Sequence, residues 1–480
     1  MVTASQLNER LSAVRAAQAR WNAIGLDERC RRVKKVGAVF ARRAEEVASL
    51  VVRETKKSET DAWFADVVPN LDLFEYWTSE GAKALETLKA PISQLKFPKK
   101  SGTLRYEPKG LVGLITPWNY PVALALRTLV PALVAGNAVL LKGSEHTPGV
   151  GPLLVSIFAE VLGPDLVTSV EGAGEAGEAV IDHSDHTVFI GSVATGRKVA
   201  VRAAQQLKTV SLELGGKDAA IVLADCDFER TVAGVFWGAM ANSGQNCAAI
   251  ERCFVERSLY DRFVAALRTL AEQTSIAPLA TAQQEAIVQA QLEDAKARGA
   301  TLHGGGAGRA TILTGVPHDA KVATEETFGP LLPVWPVDSL DEAISLANTG
   351  EYGLTTSLWT RDLARALAVV HRFDTGVVTI NNTACTAAMP FAPWSGRRHS
   401  GSGVTNSHLA ILELVRPKFV LTDNNADPEV WWFPFDAESV ALARQTVGWL
   451  TATGLSKIKM TVGLLAAMKK RVANQKKLVR

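Results

Sequence analysis

Two residues of the chain, a cysteine and a glutamate, have the types that covalent carbonyl chemistry needs. Cys247 ends the segment 244–247, which reads Gly-Gln-Asn-Cys, and Glu213 lies in the segment 212–217, which reads Leu-Glu-Leu-Gly-Gly-Lys. A cysteine thiolate can attack a carbonyl carbon and form a thioester, whose hydrolysis needs a base that activates water. Cys247 is therefore a candidate nucleophile, and Glu213 is a candidate general base.

A third segment supplies an amide side chain. Residues 114–121 read Leu-Ile-Thr-Pro-Trp-Asn-Tyr-Pro, so Asn119 follows an apolar run and lies between two prolines. Its side-chain N–H could stabilise the oxyanion that forms when a nucleophile attacks a carbonyl. Taken alone, the cysteine also has a structural explanation, because isolated cysteines usually behave as small buried hydrophobic residues. The combination of the three residues favours catalysis.

In this chain order, Asn119, Glu213 and Cys247 resemble the aldehyde dehydrogenase superfamily. Three further segments look like the cofactor motifs of that family: Lys-Gly-Ser-Glu at 142–145, Phe-Ile-Gly-Ser at 189–192 followed by Gly196, and Glu-Glu-Thr-Phe-Gly-Pro at 325–330. The resemblance extends over roughly residues 10 to 422. Chance does not explain six motifs that occur in the same order as in the family.

The resemblance implies an α/β protein with a Rossmann-like NAD-binding domain, an α/β catalytic domain and a small β oligomerisation element. The expected boundaries are 1–83 with 107–215 for the NAD-binding domain, 216–406 for the catalytic domain, 84–106 with 407–422 for the oligomerisation element, and 423–480 for a divergent C-terminal extension. It also implies assembly as a homodimer or a homotetramer.

The same resemblance assigns roles to individual residues. The expected catalytic residues are Cys247, Glu213 and Asn119, and the expected cofactor-binding residues are Trp118, Lys142, Glu145, Gly191, Ser192, Gly196, Leu214, Glu326 and Phe328. A carboxylate beside the adenosine ribose accepts hydrogen bonds from two free hydroxyls and repels a 2′-phosphate. Glu145 therefore favours NAD, while the adjacent Lys142 leaves NADP as an alternative.

A glycine pattern at 172–177, Gly-Ala-Gly-Glu-Ala-Gly, also matches the dinucleotide-binding fingerprint. That fingerprint requires an acidic residue at the end of the next strand, where this chain has Gly191 and Ser192. We therefore expect the later loop to contact the pyrophosphate at the start of a helix, where unpaired N–H groups favour an anion. The earlier loop is expected to lie along the adenosine.

Hydrophobic periodicity predicts alternating strands and helices, which is typical of parallel sheets covered on both faces. The first alternating region has expected strands at 111–115, 138–141, 166–170 and 187–190 and helices at 123–135, 150–162, 174–181 and 194–207. The second has expected strands at 252–255, 355–359 and 377–380 and helices at 259–273, 282–297, 340–347 and 363–371. The family comparison adds a hairpin near 84–106 and a late strand near 409–420.

Composition agrees with a globular enzyme. The 480 residues are 47% hydrophobic and 21% charged, and the chain is long enough for more than one core. No N-terminal apolar stretch resembles a secretory signal, and no segment has the about 18 apolar residues of a membrane-spanning helix. The five cysteines lack the spacing of a disulfide framework. We expect a cytoplasmic protein without a nucleic-acid partner.

A possible metal-ligand pair, His183 and His186, is predicted to be a surface feature instead. Two histidines in a polar segment do not make a metal site, because such a site needs three or four converging ligands. We therefore predict no bound metal.

Two segments depart from the family pattern. The late motif at 389–403 is three residues longer than usual and has Ala-Pro in place of Gly-Gly, near the expected substrate entrance. The segment 441–480 contains nine Lys or Arg residues and no Asp or Glu, and it has apolar positions on one helical face. Such a basic amphipathic helix could contact an anionic membrane peripherally, dock on a subunit surface or cover a substrate channel.

The expected function is NAD-dependent oxidation of an aldehyde to a carboxylic acid through a cysteine thioester. The departures favour a hydrophobic substrate, aromatic or medium-to-long aliphatic. Relatives that transfer the acyl group to coenzyme A generally lack a carboxylate at the position of Glu213, so its presence favours hydrolysis. An acyl-CoA-forming or acid-reducing relative and a non-catalytic scaffold remain as alternatives.

Overall fold

The computed structural model describes residues 3–94, 96–305 and 309–478. They form two compact units. The larger unit contains the residues up to Glu86 together with Tyr106–Arg416, and the smaller unit contains Thr87–Arg105 together with the residues from Pro417 onward.

Helices and strands alternate through most of the larger unit. The α-helices are α1 (Ala4–Ala23), α2 (Leu26–Arg42), α3 (Ala44–Thr55), α4 (Glu59–Asp61), α5 (Val68–Trp77), α6 (Pro121–Val134), α7 (Val150–Leu162), α8 (Gly174–His183), α9 (Val193–Gln205), α10 (Phe228–Met240), α11 (Arg257–Gln273), α12 (Ala282–Ala297), α13 (Lys321–Thr324), α14 (Leu340–Ala347), α15 (Leu363–Val369), α16 (Ser407–Glu413), α17 (Ala437–Thr451) and α18 (Gly454–Leu478). The strands are β1 (Leu88–Lys89), β2 (Lys100–Pro108), β3 (Leu111–Ile115), β4 (Ala138–Lys142), β5 (Val167–Ser169), β6 (His186–Ile190), β7 (Thr209–Glu213), β8 (Asp218–Val222), β9 (Ile250–Glu256), β10 (Thr301–Gly304), β11 (Thr311–Thr314), β12 (Leu331–Val337), β13 (Tyr352–Gly353), β14 (Thr355–Trp359), β15 (Val377–Ile380), β16 (Arg397–Arg398), β17 (Gly401–Ser402) and β18 (Val415–Asp423).

The first sheet of the larger unit has the strand order β17-β7-β6-β3-β4-β5. Neighbouring strands are parallel except β17, which runs antiparallel to β7. Parallel neighbours need crossover helices, which explains the strand–helix alternation of the sequence. Because β3 lies between β4 and β6, the strand order reverses at β3, and a ligand crevice is expected at the carboxyl ends of β3 and β6.

The second sheet has the order β10-β11-β12-β9-β8-β14-β15 and is parallel except for β10. Helices cover its faces, and the apolar residues of the strands form two buried clusters, one against α12 and α14 and the other against α10 and α11. The predicted fold class is confirmed, since the larger unit is an α/β assembly of two parallel sheets.

The smaller unit contains a three-stranded sheet in the order β1-β2-β18, in which β1 and β2 are antiparallel. It also contains the helices α17 and α18.

The expected late strand at 409–420 is partly wrong, because residues 407–413 are helical and the strand starts only at Val415. Ser407, Ala410, Ile411 and Leu414 are buried. This spacing of three to four residues belongs to a helix.

The expectation that His183 and His186 both lie at the surface is wrong for His186. It is buried in β6, and its ring contacts the hydroxyl oxygens of Thr209 at 2.8 Å and Ser211 at 3.2 Å. Burial lowers the pKa of His186 to about 3, so the ring is neutral and packs inside the core.

Among the described residues, no group of three or more His, Cys, Asp or Glu side chains could hold a metal ion. None of the helices described is long and apolar enough to cross a membrane.

Candidate active site

Glu213 and Cys247 come together because a short link joins the two sheets. Glu213 ends β7 in the first sheet, and after the four linking residues 214–217 strand β8 begins the second sheet at Asp218. Strand β8 pairs in parallel with β9, with Asp218 opposite Ile250, so the segment before β9 that carries Cys247 lies beside the link. At Gly216 an added Cβ atom would overlap the carbonyl oxygen of Cys247. The link and the cysteine segment are therefore in direct contact.

A left-handed turn precedes Cys247. Asn242 and Ser243 have φ values of 51° and 57°, and Gly244 has 73°. Residues with side chains rarely adopt this conformation, so surrounding contacts must hold it. The Asn242 side chain donates to the carbonyl oxygen of Gln245 at 3.2 Å, and the Gln245 side chain donates to that of Asn242 at 2.9 Å. These reciprocal bonds fix the loop that presents the thiol.

The Cys247 thiol lies on the wall of a cavity of about 390 Å³. Burial, followed by the negative charge of Glu213, raises the pKa of Cys247 to about 12, whereas Arg127 lowers it. The thiol is therefore protonated at neutral pH and has to lose its proton before it attacks a carbonyl.

Glu213 is buried and only weakly paired. Its Oε2 atom is 3.5 Å from Nη1 of Arg127, while Oε1 has no hydrogen-bond partner among the described residues. Burial raises the pKa of Glu213, and Arg127 partly offsets this increase. Since a higher pKa makes a carboxylate a stronger base, the environment suits a group that accepts a proton from water.

Arg127 is a site residue that the sequence analysis missed. Its guanidinium is buried, donates to the carbonyl oxygen of Ala387 at 3.0 Å and lies 5.7 Å from the ring centre of Trp394. A signal was present, because Arg127 is the only charged residue in the otherwise apolar helix α6. A cation in such a helix is expected to be paired or functional.

Replacing Arg127 with glutamine is expected to shift the pH dependence of both kcat/KM, which reports acylation, and kcat, which includes hydrolysis, to higher pH. Arg127 lowers the pKa values of both Cys247 and Glu213, so its loss raises both. Less thiolate and less carboxylate then exist at neutral pH, and activity there falls several-fold. Initial rates between pH 6 and 10 test this. Arg127→Lys keeps the charge and restores most of the shift, whereas identical profiles for Arg127→Gln and wild type contradict this electrostatic role.

Asn119 is buried next to the cysteine loop. Its side-chain N–H donates to the carbonyl oxygen of Gln245 at 3.1 Å, which uses one of its two hydrogens. The backbone N–H of Cys247 has no acceptor among the residues described. Two N–H donors thus remain beside the thiol and could hold an oxyanion.

A buried ion pair that the sequence analysis missed fixes the Asn119 segment. Lys57 and Asp66 are both fully buried and lie 2.8 Å apart. Lys57 also donates to the backbone carbonyl of Asn119 at 2.6 Å, and Asp66 accepts the backbone N–H groups of Val122 and Ala123 at 3.1 and 3.0 Å. A carboxylate at the first turn of α6 is stabilised by the unpaired N–H groups there.

The expected crevice is present at the carboxyl ends of β3 and β6, as a cavity of about 820 Å³. Lys142, Glu145 and Gly191 line it, and Gly174 and Gly177 of the earlier glycine pattern line it as well. Both glycine loops therefore face the same space. Lys142 and Glu145 are 2.9 Å apart, at the end of β4.

The start of α9 fits a phosphate group. Ser192 caps this helix, because its side chain accepts the backbone N–H of Thr195. An added Cβ atom on Gly196 would lie 2.5 Å from Cδ2 of Leu214, so only glycine allows this close packing. Ser192 is the cap of α9 and Gly196 lies in its first turn, and Gly191 just before the cap lines the crevice. A helix N-terminus and a nearby carboxylate, Glu145, are the groups that a dinucleotide needs.

Trp118 and Phe328 are in contact, and Glu326 lies beside the link between the two sheets. The rings of Trp118 and Phe328 meet edge to face with centroids 5.6 Å apart. Glu326 accepts the backbone N–H of Gly216 at 3.1 Å, beside the link between the sheets. Burial, with the charge of Glu251, raises the pKa of Glu326 to about 8. These contacts place Glu326 next to the segment that carries Glu213.

Glu251 supports this region and was also missed. It forms a buried ion pair with Lys217 at 2.6 Å and accepts the backbone N–H groups of Thr327 and Phe328 at 2.7 and 2.8 Å. Lys217 also donates to the Thr327 hydroxyl at 2.9 Å. The pair thereby joins the link between the sheets to the Phe328 loop.

The unusual segment 389–403 forms part of the cavity wall. Pro390 and Trp394 line the cavity beside Cys247, and Trp394 is buried. Further along, β17 pairs with β7 so that Gly401 lies opposite Glu213. The departure from the family motif therefore lies where it can contact a substrate.

The doubly wound sheet and its crevice are typical of the proteins that bind a dinucleotide. Residues 1–420 match the family model described as aldehyde dehydrogenase family. The 4,4'-diapolycopene aldehyde oxidase of Methylomonas sp is 36% identical over 447 residues, which are 90% of this chain and 84% of that protein. The NAD(+) benzaldehyde dehydrogenase of Pseudomonas putida is 34% identical over 414 residues, which are 82% of this chain and 83% of that protein.

Among solved structures, the NAD+ complex of aldehyde dehydrogenase from Bacillus cereus is similar with a TM-score of 0.82 and 30% identity, and the match covers 88% of this chain and 90% of that one. The chain belongs to the aldehyde dehydrogenase family. It is an oxidoreductase that acts on aldehydes with NAD or NADP as cofactor.

Proposed function

We propose that the enzyme oxidises hydrophobic aldehydes, aromatic or medium-to-long aliphatic, to carboxylic acids, with NAD preferred over NADP. The lining of the cavity that contains Cys247 carries this proposal. Most of the side chains around the thiol are apolar, among them Phe64, Leu73, Leu124, Trp237 and Trp394. Phe64 and Trp237 are also more than half exposed, as expected where an apolar substrate enters from water. The relatives named for diapolycopene aldehyde and benzaldehyde act on substrates of this kind.

In the proposed reaction, Cys247 loses its proton and attacks the aldehyde carbon. The Asn119 side chain and the Cys247 backbone N–H hold the resulting oxyanion. The bound dinucleotide would supply the hydride acceptor, so that loss of hydride from the former aldehyde carbon of the Cys247 adduct leaves the thioester. Glu213 then takes a proton from water, and the hydroxide formed attacks the thioester and releases the acid. Hydrolysis is favoured over transfer to coenzyme A because Glu213 is buried with one oxygen unpaired among the described residues.

The NAD preference depends on Glu145, whose carboxylate lines the crevice. It would hold the adenosine ribose hydroxyls, with Lys142 beside it, and would repel a 2′-phosphate. Gly191 and the first turn of α9 would hold the pyrophosphate, while Glu326 and Phe328 would orient the nicotinamide ribose and ring.

We also propose that the chain assembles as a homodimer or homotetramer through the sheet of the smaller unit. Strand β18 is an edge strand of nine residues, and Phe419 and Leu421 on it are more than half exposed. Exposed large apolar side chains on an unpaired edge strand favour a covering partner. Light scattering of the purified protein measures the mass, and a monomer contradicts this assembly.

A screen of aldehydes with both cofactors tests the substrate proposal. We expect kcat/KM for straight-chain aldehydes to rise with length, by up to about fourfold for each added methylene until the cavity is filled, because each buried methylene contributes about 0.8 kcal/mol. NAD should support faster turnover than NADP. A preference for short polar or amino aldehydes contradicts the proposal, and an acyl-CoA product formed in the presence of coenzyme A contradicts hydrolysis.

Aldehydes that carry a carboxylate are a second candidate class, because Arg127 lines the cavity. Its charge is already engaged by Glu213, Ala387 and Trp394, which is why we rank this class second. Including an ω-carboxy aldehyde in the screen separates the two classes. If that substrate gives the highest kcat/KM and Arg127→Gln raises its KM selectively, the anionic class replaces the hydrophobic one.

A further inference from the structure

The smaller unit exposes four aromatic side chains in one short segment. Each of these side chains is at least half exposed: Trp431, Trp432, Phe433 and Phe435. Neighbouring exposed residues of this size usually mark a surface that a partner covers. We call residues 430–435 the aromatic segment.

Arg471 of α18 holds the backbone of the aromatic segment from inside the unit. Its buried guanidinium donates to the carbonyl oxygens of Trp432 at 3.0 Å and Pro434 at 2.7 Å, and also to that of Val430. It pairs with Asp436 at 2.9 Å. Because these carbonyl groups are satisfied internally, the segment is ordered without a partner, and its aromatic side chains remain available for binding.

An apolar stripe on α18 is continuous with the aromatic segment. The stripe consists of four exposed residues spaced three or four positions apart: Leu455, Ile458, Val462 and Leu465. Leu465 lines a groove of about 680 Å³ together with Trp431 and Phe435 of the aromatic segment. We call the stripe, the groove and the aromatic segment together the tail surface.

Positive charges flank the tail surface. Lys459 follows Leu455 by four positions and Lys469 follows Leu465 by four, so each lysine lies next to the stripe on the helix. Both lysines are exposed, and neither forms an ion pair with any described residue. The segment 441–480 as a whole has nine Lys or Arg residues and no acidic residue. The partner of this surface should therefore be both apolar and anionic.

We propose that the tail surface binds an anionic lipid bilayer. The aromatic rings would lie at the headgroup boundary, the stripe would enter the outer part of the acyl region, and the lysines would meet anionic headgroups. A second copy of the chain fits less well, because a two-fold contact would bring the same cationic segment of both copies together. The proposal is independent of the substrate, although a bilayer would also concentrate hydrophobic aldehydes near the enzyme.

Vesicle sedimentation of the full chain tests this proposal. We expect the protein to pellet with vesicles of phosphatidylcholine and phosphatidylglycerol but not with phosphatidylcholine alone, and to dissociate at high salt. The double variant Ile458→Gln and Val462→Gln should bind roughly tenfold more weakly, because two inserted side chains become polar. The matched control is Leu363→Gln and Leu367→Gln, two exposed leucines on α15, and it should bind like the wild type.

A charge variant tests the electrostatic part separately. Lys459→Gln with Lys469→Gln should weaken binding to the anionic vesicles by roughly tenfold or more, since each lysine near a charged bilayer contributes about 1 kcal/mol. All variants should oxidise a water-soluble aldehyde at the wild-type rate, which shows that they are folded. Loss of vesicle binding with retained activity supports the membrane proposal, whatever the preferred aldehyde is.

Three results overturn the proposal. The wild type could stay in the supernatant with phosphatidylglycerol vesicles. The stripe variant could bind these vesicles as tightly as the wild type does. The wild type could also self-associate without lipid while the stripe variant does not, which would make a second copy the partner of the tail surface.

Discussion

Changing Cys247 to serine is expected to lower kcat by about 10⁴-fold or more, because the hydroxyl is a poor nucleophile at neutral pH and no thioester forms. Cys247 lies on the wall of the apolar cavity, and Asn119 is held against the same loop. NAD binding should persist, since the crevice is lined by other residues. Aldehyde-dependent NADH formation measures the loss, and titration of NAD by fluorescence measures the retained affinity.

Cys385 provides a matched control. It lines the same cavity and is half-buried, like Cys247, and burial raises the pKa of its thiol. Cys385→Ser should keep kcat within a few-fold of the wild type. If Cys247→Ser keeps wild-type turnover, or if Cys385→Ser alone abolishes it, the nucleophile is not Cys247.

Changing Glu213 to glutamine is expected to separate acylation from hydrolysis. Removing the carboxylate also removes a negative charge that raises the pKa of Cys247, so the thiol should still attack the aldehyde. Water activation is lost, and steady-state kcat should fall by about 10²- to 10⁴-fold. Stopped-flow absorbance should then show one NADH per site in a rapid burst, followed by slow turnover, and mass spectrometry should show the acylated protein.

Glu54 offers the control for this experiment. It is a second carboxyl group in the larger unit whose pKa burial raises, and it accepts the backbone N–H of Gly149 at 3.0 Å. Glu54→Gln preserves that acceptor and should leave both the burst and the steady state unchanged. Full steady-state turnover by Glu213→Gln would exclude Glu213 as the base that activates water.

The acidic limb of the pH profile follows from the same residue. A carboxyl group whose pKa is raised by burial becomes protonated at a higher pH than an ordinary glutamate. Protonated Glu213 cannot accept a proton, so hydrolysis should decline at a higher pH than it would with an ordinary glutamate. The pKa of Cys247 is raised to about 12, so the fraction of thiolate increases as the pH rises above neutrality. Acylation should therefore become faster at alkaline pH.

Much of the fold could be predicted from hydrophobic periodicity. The expected strands 111–115, 355–359 and 377–380 and the expected helices 150–162, 282–297 and 340–347 have the bounds found in the structure. Strand β12 was missed for a physical reason. It contains Pro333 and Pro336, which normally exclude a central strand, yet it lies between β11 and β9 with Pro336 opposite Val255.

The candidate site was predicted less completely. Motifs located Asn119, Glu213 and Cys247, because their neighbouring residues are part of the pattern. Arg127 and Glu251 were not found, since each acts through residues that are distant in sequence. Arg127 contacts Glu213 and Ala387, and Glu251 contacts the 327–328 backbone. Pairings of this kind depend on the path of the whole chain, which local sequence does not encode.

The Lys57–Asp66 pair connects the N-terminal helices to the segment that carries Asn119. Both residues precede the first strand of the first sheet, and together they anchor the Asn119 carbonyl and the first turn of α6. Replacing either residue would leave the charge of the other buried without its partner. The amide proposed to stabilise the oxyanion would then lose its support, so a change at residue 57 or 66 would weaken a reaction centred on residue 247.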